Sequence, residues 1–502
     1  MSSTTNSFMG SVALNRDPYA TLGVRPFINC CGTRTVHGGS LILPEVRAAM
    51  AAASSQFVNM NELMNRARLR IAELTGADDG IVTAGSAAAI AIATAAAIAG
   101  NDPVRMLRLP QTEGVPNIVV MLKSHRFPYD QAIRMVGARI VEVENLSQLE
   151  ALDFEMVAMI AYLGARDRNA EIPFEAFVTL GRQHGVPVLV DAASEHIERP
   201  NVWLGRGADL VVYSGGKVLR GPQTSGLLLG RTDLIDAAWA NSPPHRAFGR
   251  PMKIGKEDVI GMIAALEAWF SRDKASAMKV WMNDIEIIGQ ALNSVPGVNT
   301  EILPPDEGDK VPLIRVNWNF ADLPIHGLDL RLRLLDGQPR ILLDDVSAGP
   351  SNITIEVFSL QSGEAKIIGD AIAKAFRDIP IVETPAQVVT DIAGEWTLEV
   401  NFPRKPRTHR VTLSQTGSLL RGEQTSDRFA GAVTGAVDGA AVRLVFEDTY
   451  EGAIITYQFA GVIDAETMAG KVMLGSTTSQ TRGIVSYTQY GTARWQARRL
   501  LQ

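Results

Sequence analysis

Residues 208–230 read ADLVVYSGGKVLRGPQTSGLLLG, two short apolar segments that flank a glycine-rich turn. Short apolar segments alternate with helix-like stretches, such as 128–137 and 174–185, over about residues 70 to 230. This alternation predicts an α/β fold with a mainly parallel sheet covered on both faces. Ligands of such sheets bind at the carboxyl ends of the strands. The other strand-like segments are IVTAG (81–85), NIVVML (117–122), ARIVEV (138–143), MVAMIAYL (156–163) and VPVLVDAA (186–193).

The pattern changes twice beyond this region. Residues 255–293 have helical spacing, and a smaller α+β unit follows from about 297 to 380. After a proline-containing boundary near 378–387, eight short alternating segments with Gly or Asp in the turns predict a small closed antiparallel barrel. We therefore expect four parts: an N-terminal arm (1–30), the α/β domain (31–290), a small α+β domain (291–384) and a C-terminal antiparallel β-barrel-like domain (385–502).

The composition narrows the class of protein. The chain has 502 residues, 46% of them hydrophobic, and a formal net charge of −6. It lacks the basic excess that nucleic-acid binding usually needs, and its longest apolar run (84–100) is too short and too rich in alanine for a membrane span. The two cysteines, Cys30 and Cys31, are adjacent and form no disulfide framework. We expect a cytoplasmic protein without nucleic-acid or membrane partners.

Lys217 is the first candidate for chemistry, because it follows an apolar strand inside the glycine-rich turn. A lysine held close to backbone and away from water has a lowered ammonium pKa and can act as a nucleophile. Ser214, three residues earlier, could donate its hydroxyl to a phosphate. By itself, the motif also fits an ordinary surface turn.

Asp191 ends the apolar strand of VPVLVDAA, twenty-six residues before Lys217. A buried carboxylate needs a partner, and an acid here could hold a proton on the ring nitrogen of pyridoxal 5′-phosphate (PLP), which makes the ring an electron sink. The alternative is an N-cap for the next segment.

Two more strand ends carry suitable groups. Gly85, Ser86 and Ala87 lie where a strand turns into a helix, and free N–H groups there form an anion site. A plain N-cap serine is the alternative. His125 follows the next strand, where its ring could stack on a cofactor or serve only in packing. An anion site, an aromatic ring, an acid and a lysine thus recur in order at four strand ends.

From about residue 20 to 380 the chain resembles the fold-type-I PLP enzymes, in particular the branch with L-seryl-tRNA selenium transferase and D-glucosaminate-6-phosphate ammonia lyase. The resemblance rests on VRPFINCCGTRTVHGGSLILPEV, RIAELTGADDGIVTAGSAAAI, VPVLVDAASE and GADLVVYSGGKVLRGPQTSGLLLGRTDLI. Ser-Gly-x-Lys followed by Gly-Pro-Gln is the most specific motif. The resemblance implies the PLP aminotransferase fold with its seven-stranded sheet.

Position by position, the resemblance makes Lys217 the Schiff-base lysine and Asp191 the partner of the ring nitrogen. Gly85, Ser86, Ala87 and Ser214 become phosphate ligands, and His125 the ring-stacking residue. Gln223 falls where the family often reaches the phosphate of a neighbouring subunit, which implies a homodimer or a larger homo-oligomer. The stretch from Asn29 to Arg34 would line the substrate side. The candidate substrate ligands are Thr33, Arg34, Arg246 and Arg340, because an arginine fork can bind two oxygens of a carboxylate or phosphate; no metal site is expected.

The resemblance implies an enzyme that acts at Cα of a small amino-acid substrate. We expect a lyase that converts a hydroxylated or sugar-derived amino acid into a 2-oxo acid and ammonia. A racemase or epimerase, an aldolase and a transaminating transferase remain alternatives. A tRNA substrate is not expected, because the chain begins almost directly with the catalytic part. Outside the enzymes, the chain could be a PLP-scaffold binding protein, or its barrel could carry an apolar ligand.

Overall fold

The computed structural model describes residues 17–305, 311–345, 348–379, 390–477 and 490–500. The strands in these ranges are β1 (Ile28–Cys30), β2 (Asp79–Thr83), β3 (Ile118–Leu122), β4 (Arg139–Val143), β5 (Val157–Leu163), β6 (Val188–Asp191), β7 (Leu210–Ser214), β8 (Gly226–Gly230), β9 (Val298–Leu303), β10 (Leu313–Trp318), β11 (Ile341–Leu343), β12 (Asn352–Glu356), β13 (Gly394–Asn401), β14 (Arg407–Thr416), β15 (Leu419–Thr425), β16 (Ala430–Asp438), β17 (Ala441–Tyr450), β18 (Ala453–Asp464), β19 (Thr467–Thr477) and β20 (Thr492–Arg499).

Helices connect most of the strands before the barrel. The α-helices are α1 (Pro18–Thr21), α2 (Pro44–Ser54), α3 (Met60–Thr75), α4 (Ser86–Ala99), α5 (Pro103–Arg108), α6 (Gln131–Arg134), α7 (Leu146–Glu150), α8 (Phe174–His184), α9 (Val202–Arg206), α10 (Thr232–Asn241), α11 (Lys256–Ser271), α12 (Lys274–Asn293), α13 (Gly327–Asp336) and α14 (Glu364–Arg377). Short 3₁₀ turns cover Thr35–His37, Lys123–His125, Pro128–Asp130, Phe154–Met156 and Gly164–Asn169.

A seven-stranded sheet with the order β2-β8-β7-β6-β5-β3-β4 forms the centre of the α/β part. The ladders that join β7, β6, β5, β3 and β4 are parallel, and β8 is antiparallel to both of its neighbours. Apart from the edge strand β4, which exposes Arg139 and Glu142, the strands are apolar and almost entirely buried, as expected for a sheet covered on both faces. This confirms the predicted fold class. The carboxyl ends of β3, β5, β6 and β7 share one edge, which is where the candidate residues lie.

The alanine-rich run folds as α4, most of whose residues are buried. Alanine allows close packing, so this helix lies against β2, β5, β7 and β8. Within the described ranges, no helix combines the length and apolarity that a membrane span requires.

Two helical predictions need correction. The helix expected over 128–137 is reduced to a 3₁₀ turn and the four residues of α6, because Pro128 restricts its start and Gly137, at φ +94°, ends it. The helix expected over 255–293 is two helices. The break falls at Asp273, whose carboxylate accepts the Ala275 N–H at 3.0 Å and so caps the second helix.

The chain divides into two compact units, described separately here. Among the described residues, the first comprises 17–32, 280–303, 313–345 and 348–379. Its sheet has the order β12-β10-β9, and β1 pairs in parallel with β11. The described residues of the second are 33–279, 304–305, 311–312, 390–477 and 490–500, and they include both the seven-stranded sheet and the barrel. Most of the predicted boundary at 378–387 lies outside the described residues, so the four-part division stays a prediction.

The barrel closes through eight consecutive antiparallel strands, β13 to β20, as predicted. Alternate side chains point inward and fill its interior, in agreement with a period of two. Phe459 lies 5.0 Å from Phe446 and 5.3 Å from Trp495 between ring centroids. Trp396 is fully buried and donates its indole N–H to the carbonyl of Ile392 at 2.9 Å. The barrel therefore has a hydrophobic core of its own.

Candidate active site

Lys217 lies in the turn between β7 and β8, close to where β7 ends. The backbone of this turn is fixed, because Gly221 N–H donates to the carbonyl of Gly215 and Arg220 N–H to that of Lys217, at 2.8 and 2.9 Å. A side chain at Gly216 would place its Cβ 2.5 Å from the Cα of Gln223, so only glycine fits there. Burial lowers the pKa of Lys217, and the charge of Asp191 partly opposes this shift. The amine is therefore easier to deprotonate than a surface lysine.

Asp191 ends β6, the neighbour of β7, and pairs in register with Val212. Burial raises the pKa of its carboxyl group, while the Ala193 N–H and the charge of Lys217 lower it. The Ala193 N–H donates to Asp191 Oδ1 at 3.0 Å. The carboxylate thus stabilises a turn two residues on, and it caps no helix, since α9 begins at Val202. The structure therefore brings Asp191 and Lys217 within electrostatic reach of each other.

The anion site predicted at residues 85–87 forms the start of α4. Gly85, at φ +88°, is the N-cap and Ser86 is the first helical residue, so the serine is not a plain N-cap. Gly226 of β8 pairs with Ser214, and a Cβ on it would lie 2.6 Å from the Ser86 nitrogen. Ser214 and Ser86 are therefore brought to the same edge. The N–H groups of the first helical turn, which has no side-chain cap, can bind an anion there.

His125 ends the short turn after β3 and is 0% exposed. Its Nδ1 accepts the backbone N–H of Leu163 at 3.1 Å, so the neutral ring carries its proton on Nε2. That Nε2 is buried without a hydrogen-bond partner among the described residues. Burial, helped by the charge of Arg166, lowers the pKa of His125 to about 4. The ring is therefore uncharged at neutral pH, as a stacking partner should be.

Gln223 and Thr33 lie in segments that the structure brings towards the lysine turn. Gln223 Nε2 donates to the carbonyl of Thr35 at 3.3 Å, and the Ser40 N–H donates to that of Gly216 at 3.1 Å. The segment that begins at Thr33 therefore reaches the lysine turn. The carbonyl of Arg34 accepts the N–H groups of His37 and Gly39. The roles of Gln223, Thr33 and Arg34 stay predictions.

The other two candidate arginines are placed differently. Arg246 is exposed in the turn after α10. Arg340 belongs to the first compact unit, where its guanidinium donates to the carbonyls of Arg25 and Leu335, both at 2.8 Å. Its observed contacts are to backbone, and substrate binding by either arginine stays a prediction.

Arg166 is a residue that sequence reasoning missed. It lies in the 3₁₀ turn after β5 and donates to the carbonyls of Ser124 and Arg126, the two neighbours of His125. Its position just beyond a strand end was the available signal. Arg166 thus fixes the backbone that carries the histidine ring.

Comparisons with known proteins identify the family. The profile of the family described as Aminotransferase class-V matches residues 45–246. D-glucosaminate-6-phosphate ammonia lyase from Salmonella typhimurium (strain 14028s / SGSC 2262) is 33% identical over 361 residues, 70% of this chain and 95% of that protein. The chain therefore belongs to the class-V aminotransferase family of PLP enzymes, and PLP is its cofactor.

Its relatives within the family differ in reaction. A solved structure of D-glucosaminate-6-phosphate ammonia-lyase has a TM-score of 0.64 and 31% identity, and covers 73% of this chain and 100% of that one. A 5′-C-glycyluridine monooxygenase-decarboxylase from Streptomyces sp is 31% identical over 70% of this chain and 90% of that protein. An L-seryl-tRNA(Sec) selenium transferase from Moorella thermoacetica is 28% identical over 50% of this chain and 57% of that protein. The predicted resemblance is confirmed.

The residues present fit PLP. The amine of Lys217 has a lowered pKa, the carboxyl group of Asp191 lies at the neighbouring strand end, and the start of α4 offers N–H groups to a phosphate. His125 adds a buried N–H that has no hydrogen-bond partner in the described part of the chain. In the part of the chain that the structure describes, no group of three or more His, Cys, Asp and Glu side chains is arranged to hold a metal ion.

Proposed function

We propose that the chain is a PLP-dependent lyase that releases ammonia and a 2-oxo acid from a hydroxylated or sugar-derived amino acid. One observation carries this proposal. Asp191 ends β6 and Lys217 follows the adjacent strand β7, in a chain that is 33% identical to a D-glucosaminate-6-phosphate ammonia lyase. The identity supports the lyase assignment, and the two residues provide its proton chemistry.

Each residue has a separate task. Bound PLP supplies an electron sink for the electron pair left at the substrate Cα. Lys217 Nζ, whose pKa burial lowers, takes the proton from Cα. Asp191 holds a proton at the ring nitrogen through its carboxylate, and the first N–H groups of α4 bind the cofactor phosphate. His125 covers one face of the ring with an uncharged imidazole.

The net reaction needs no oxidant or reductant. The Cβ–O bond breaks and the hydroxyl group leaves as water, while the proton from Cα passes to Lys217. A second water molecule is then taken up at Cα, the Cα–N bond breaks, and ammonia departs. One water is lost and one is gained, so the products are ammonia and a 2-oxo acid.

The test is an assay of the purified PLP-loaded protein with D-glucosaminate 6-phosphate, its unphosphorylated form, and D- and L-serine. We expect ammonia and 2-oxo acid in equal amounts from a sugar-derived substrate. Lys217→Ala should abolish the release, and Lys366→Ala, which removes an exposed lysine paired with Asp370, should not.

Three other outcomes would contradict the proposal. Loss of optical rotation without 2-oxo acid would show a racemase. Oxygen uptake with carbon dioxide release would show the chemistry named in the Streptomyces relative. A protein that binds PLP and turns over no amino acid would be a binding protein.

We further propose that the protein is a homodimer with its active site near the subunit interface. The support is the resemblance to fold-type-I enzymes together with exposed apolar side chains between residues 36 and 58, a segment in which the Ser40 N–H donates to Gly216 of the lysine turn. Val36, Leu41, Phe57 and Val58 are all exposed within one segment, and Phe57 is fully so. Contiguous exposed apolar groups commonly mark an interface.

Light scattering on Phe57→Lys tests the dimer, with Leu419→Lys as the control, since Leu419 is an exposed apolar residue of the barrel. We expect Phe57→Lys to shift the mass to that of a monomer and Leu419→Lys to leave a dimer. A monomeric wild type would contradict the proposal.

We also place the protein in the cytoplasm. Cys30 and Cys31 are both buried thiols that form no disulfide, and burial raises the pKa of Cys30 well above its usual value. Such thiols suit a reducing compartment. Fractionation of the source cells tests the cytoplasmic location. Recovery of the protein in the secreted fraction would contradict it.

A further inference from the structure

One turn of the barrel contacts the segment that carries His125. The turn between β17 and β18 consists of Glu451 and Gly452. Glu451 Oε2 accepts a hydrogen bond from Arg126 Nη2 at 2.7 Å. A Cβ on Gly452 would lie 2.8 Å from the Arg126 Cβ and 2.9 Å from the Phe127 nitrogen. The barrel backbone is thus packed directly against the two residues that follow His125.

Arg126 is a buried cation, with 8% of its side chain exposed. Besides Glu451, its guanidinium pairs with Asp130, at 2.5 Å, and with Glu142. Burial lowers the pKa of Arg126, but the carboxylates of Asp130 and Glu451 raise it by more than burial lowers it. The net shift of the pKa is therefore upward. A guanidinium out of water depends on every one of its partners. Glu451 supplies the partner that comes from the barrel.

The other side of the same segment is fixed by the sheet. Arg166 donates to the carbonyls on either side of His125, and the Leu163 N–H donates to the histidine ring. Residues 124–127 are therefore held between the turn after β5 and the barrel turn. A shift of the barrel turn would move Arg126 and, through one peptide unit, His125.

The backbone conformation of the barrel turn indicates that Glu451 is present for the contacts of its side chain. Glu451 and Gly452 have φ values of +48° and +70°, which define the type of two-residue turn in which Asn, Asp or Gly is preferred first. A glutamate in this left-handed conformation is disfavoured. Its side chain compensates by reaching Arg126, and it lies 3.6 Å from Arg134 as well.

We propose that the C-terminal barrel is a positioning element of the active site, with Glu451 and Arg126 as positioning residues for His125. The proposal rests on PLP binding beside His125, and it assigns a function to a domain that lies beyond the family profile, which ends at residue 246. The side-chain partners of Glu451 are Arg126 and Arg134, so the role proposed for it is indirect. It acts by fixing the backbone on which the histidine ring is mounted.

The test compares Glu451→Gln with Glu144→Gln in the full-length chain. Both remove a carboxylate that pairs with a cation of the 123–127 segment, but Glu144 pairs with the exposed Lys123 and not with the barrel turn. The measurements are the dissociation constant of PLP, from titration of the apoprotein, and the visible circular dichroism of the bound cofactor. We expect Glu451→Gln to raise the dissociation constant by about tenfold and to change the dichroism, because couplings of this kind are modest but measurable. Glu144→Gln should leave both unchanged.

A second variant and a cycle separate positioning from stability. Gly452→Ala pushes the turn away from Arg126 without changing charge, and it should also raise the dissociation constant. The double variant Arg126→Gln/Glu451→Gln should raise the dissociation constant of PLP by less than the product of the two single-variant increases. A lower melting temperature with the wild-type dissociation constant and dichroism in both turn variants would overturn the proposal. If wild-type protein fails to bind PLP, the proposed function fails instead.

Discussion

The carboxyl edge of the seven-stranded sheet and the interior of the barrel both bury a histidine, yet only one is a candidate for chemistry. His125 and His409 are nearly inaccessible, both have lowered pKa values because of burial, and both leave Nε2 without a hydrogen-bond partner among the described residues. His409 is enclosed by the barrel core, where its Nδ1 lies 2.9 Å from Gln424 Oε1. His125 lies at the carboxyl edge of the seven-stranded sheet. The same edge carries three residues that end or follow strands: Lys217, Asp191 and Ser86.

The comparison shows that burial and a shifted pKa do not identify a site by themselves. A closed barrel has no strand edge, and its inward side chains pack against one another. An open parallel sheet ends all its strands at one edge, so unlike groups from distant parts of the sequence meet there. The barrel can therefore act on the chemistry through its turns, as Glu451 does.

The largest expected effect is the difference in turnover between removing a lysine at the sheet edge and removing one on the barrel. Lys217→Ala should reduce lyase turnover by about 10⁴-fold, since it removes the group that takes the Cα proton. Lys471→Ala, which removes an exposed lysine on the barrel strand β19, should leave turnover unchanged. Initial rates of 2-oxo acid formation measure both. Equal rates for wild type and Lys217→Ala would remove the distinction between the regions.

Truncation of a core residue should affect the barrel mainly through stability. Trp396→Ala should lower the free energy of unfolding by about 3–5 kcal/mol, because it deletes a fully buried indole. Turnover per folded molecule should change far less. Urea unfolding monitored by fluorescence, with Trp281→Ala as a control for lost fluorescence, gives the value. A loss of less than 1 kcal/mol would show that the barrel core is not packed as described.

The stability of the apoprotein should depend on pH through His125. Its pKa falls from the ordinary 6.5 to about 4 on folding, so between these values the unfolded chain binds more protons. Stability is therefore fully present above pH 6.5 and is lost as the pH falls towards 4, by up to about 3 kcal/mol. Arg166 adds to this shift, while the charges of Glu171 and Asp167 oppose it.

The variant His125→Asn checks this dependence, because asparagine does not titrate in this range. Its unfolding free energy should fall less steeply over the same pH interval than that of wild type. His409→Asn is the matched variant inside the barrel and should leave PLP affinity unaltered. Identical pH profiles for wild type and His125→Asn would contradict the burial of a neutral ring.

The smallest expected effect concerns two carboxyl groups. Burial raises the pKa of Asp191 at the sheet edge and of Asp448 in the barrel. Asp191→Asn should lower turnover by about a hundredfold while PLP still binds, because the ring nitrogen loses its acid. Asp448→Asn should have no such effect. Comparable turnover in both variants would remove the role given to Asp191.

Local sequence patterns predicted much of this fold. They did not predict which distant residues pair with each other. The seven strands of the sheet and the eight of the barrel are visible as apolar or alternating segments. The antiparallel direction of β8 and the pairing of β11 with β1 leave no periodic signal, because periodicity reports burial and not the partner. Strand β9 was missed, since most of its residues are not buried.

The site shows the same limit. Lys217, Asp191, Ser86 and His125 could be found because each ends or follows an apolar strand. Glu451 could not, since 325 residues separate it from Arg126 and its turn resembles any other hairpin. Arg340 has the residue type of a substrate ligand, yet its observed hydrogen bonds are to backbone carbonyls. Residue type at a strand end is informative, whereas residue type alone is not.

The chemistry proposed for this site depends on Lys217 as the residue that carries the cofactor. The most direct measurement is borohydride reduction of the PLP-loaded protein, which makes the lysine–cofactor bond permanent, followed by digestion and peptide mass spectrometry. We expect one modified peptide, with the phosphopyridoxyl group on Lys217 and no label on the exposed Lys471. A label on another lysine, or no modified peptide from protein saturated with PLP, would contradict it.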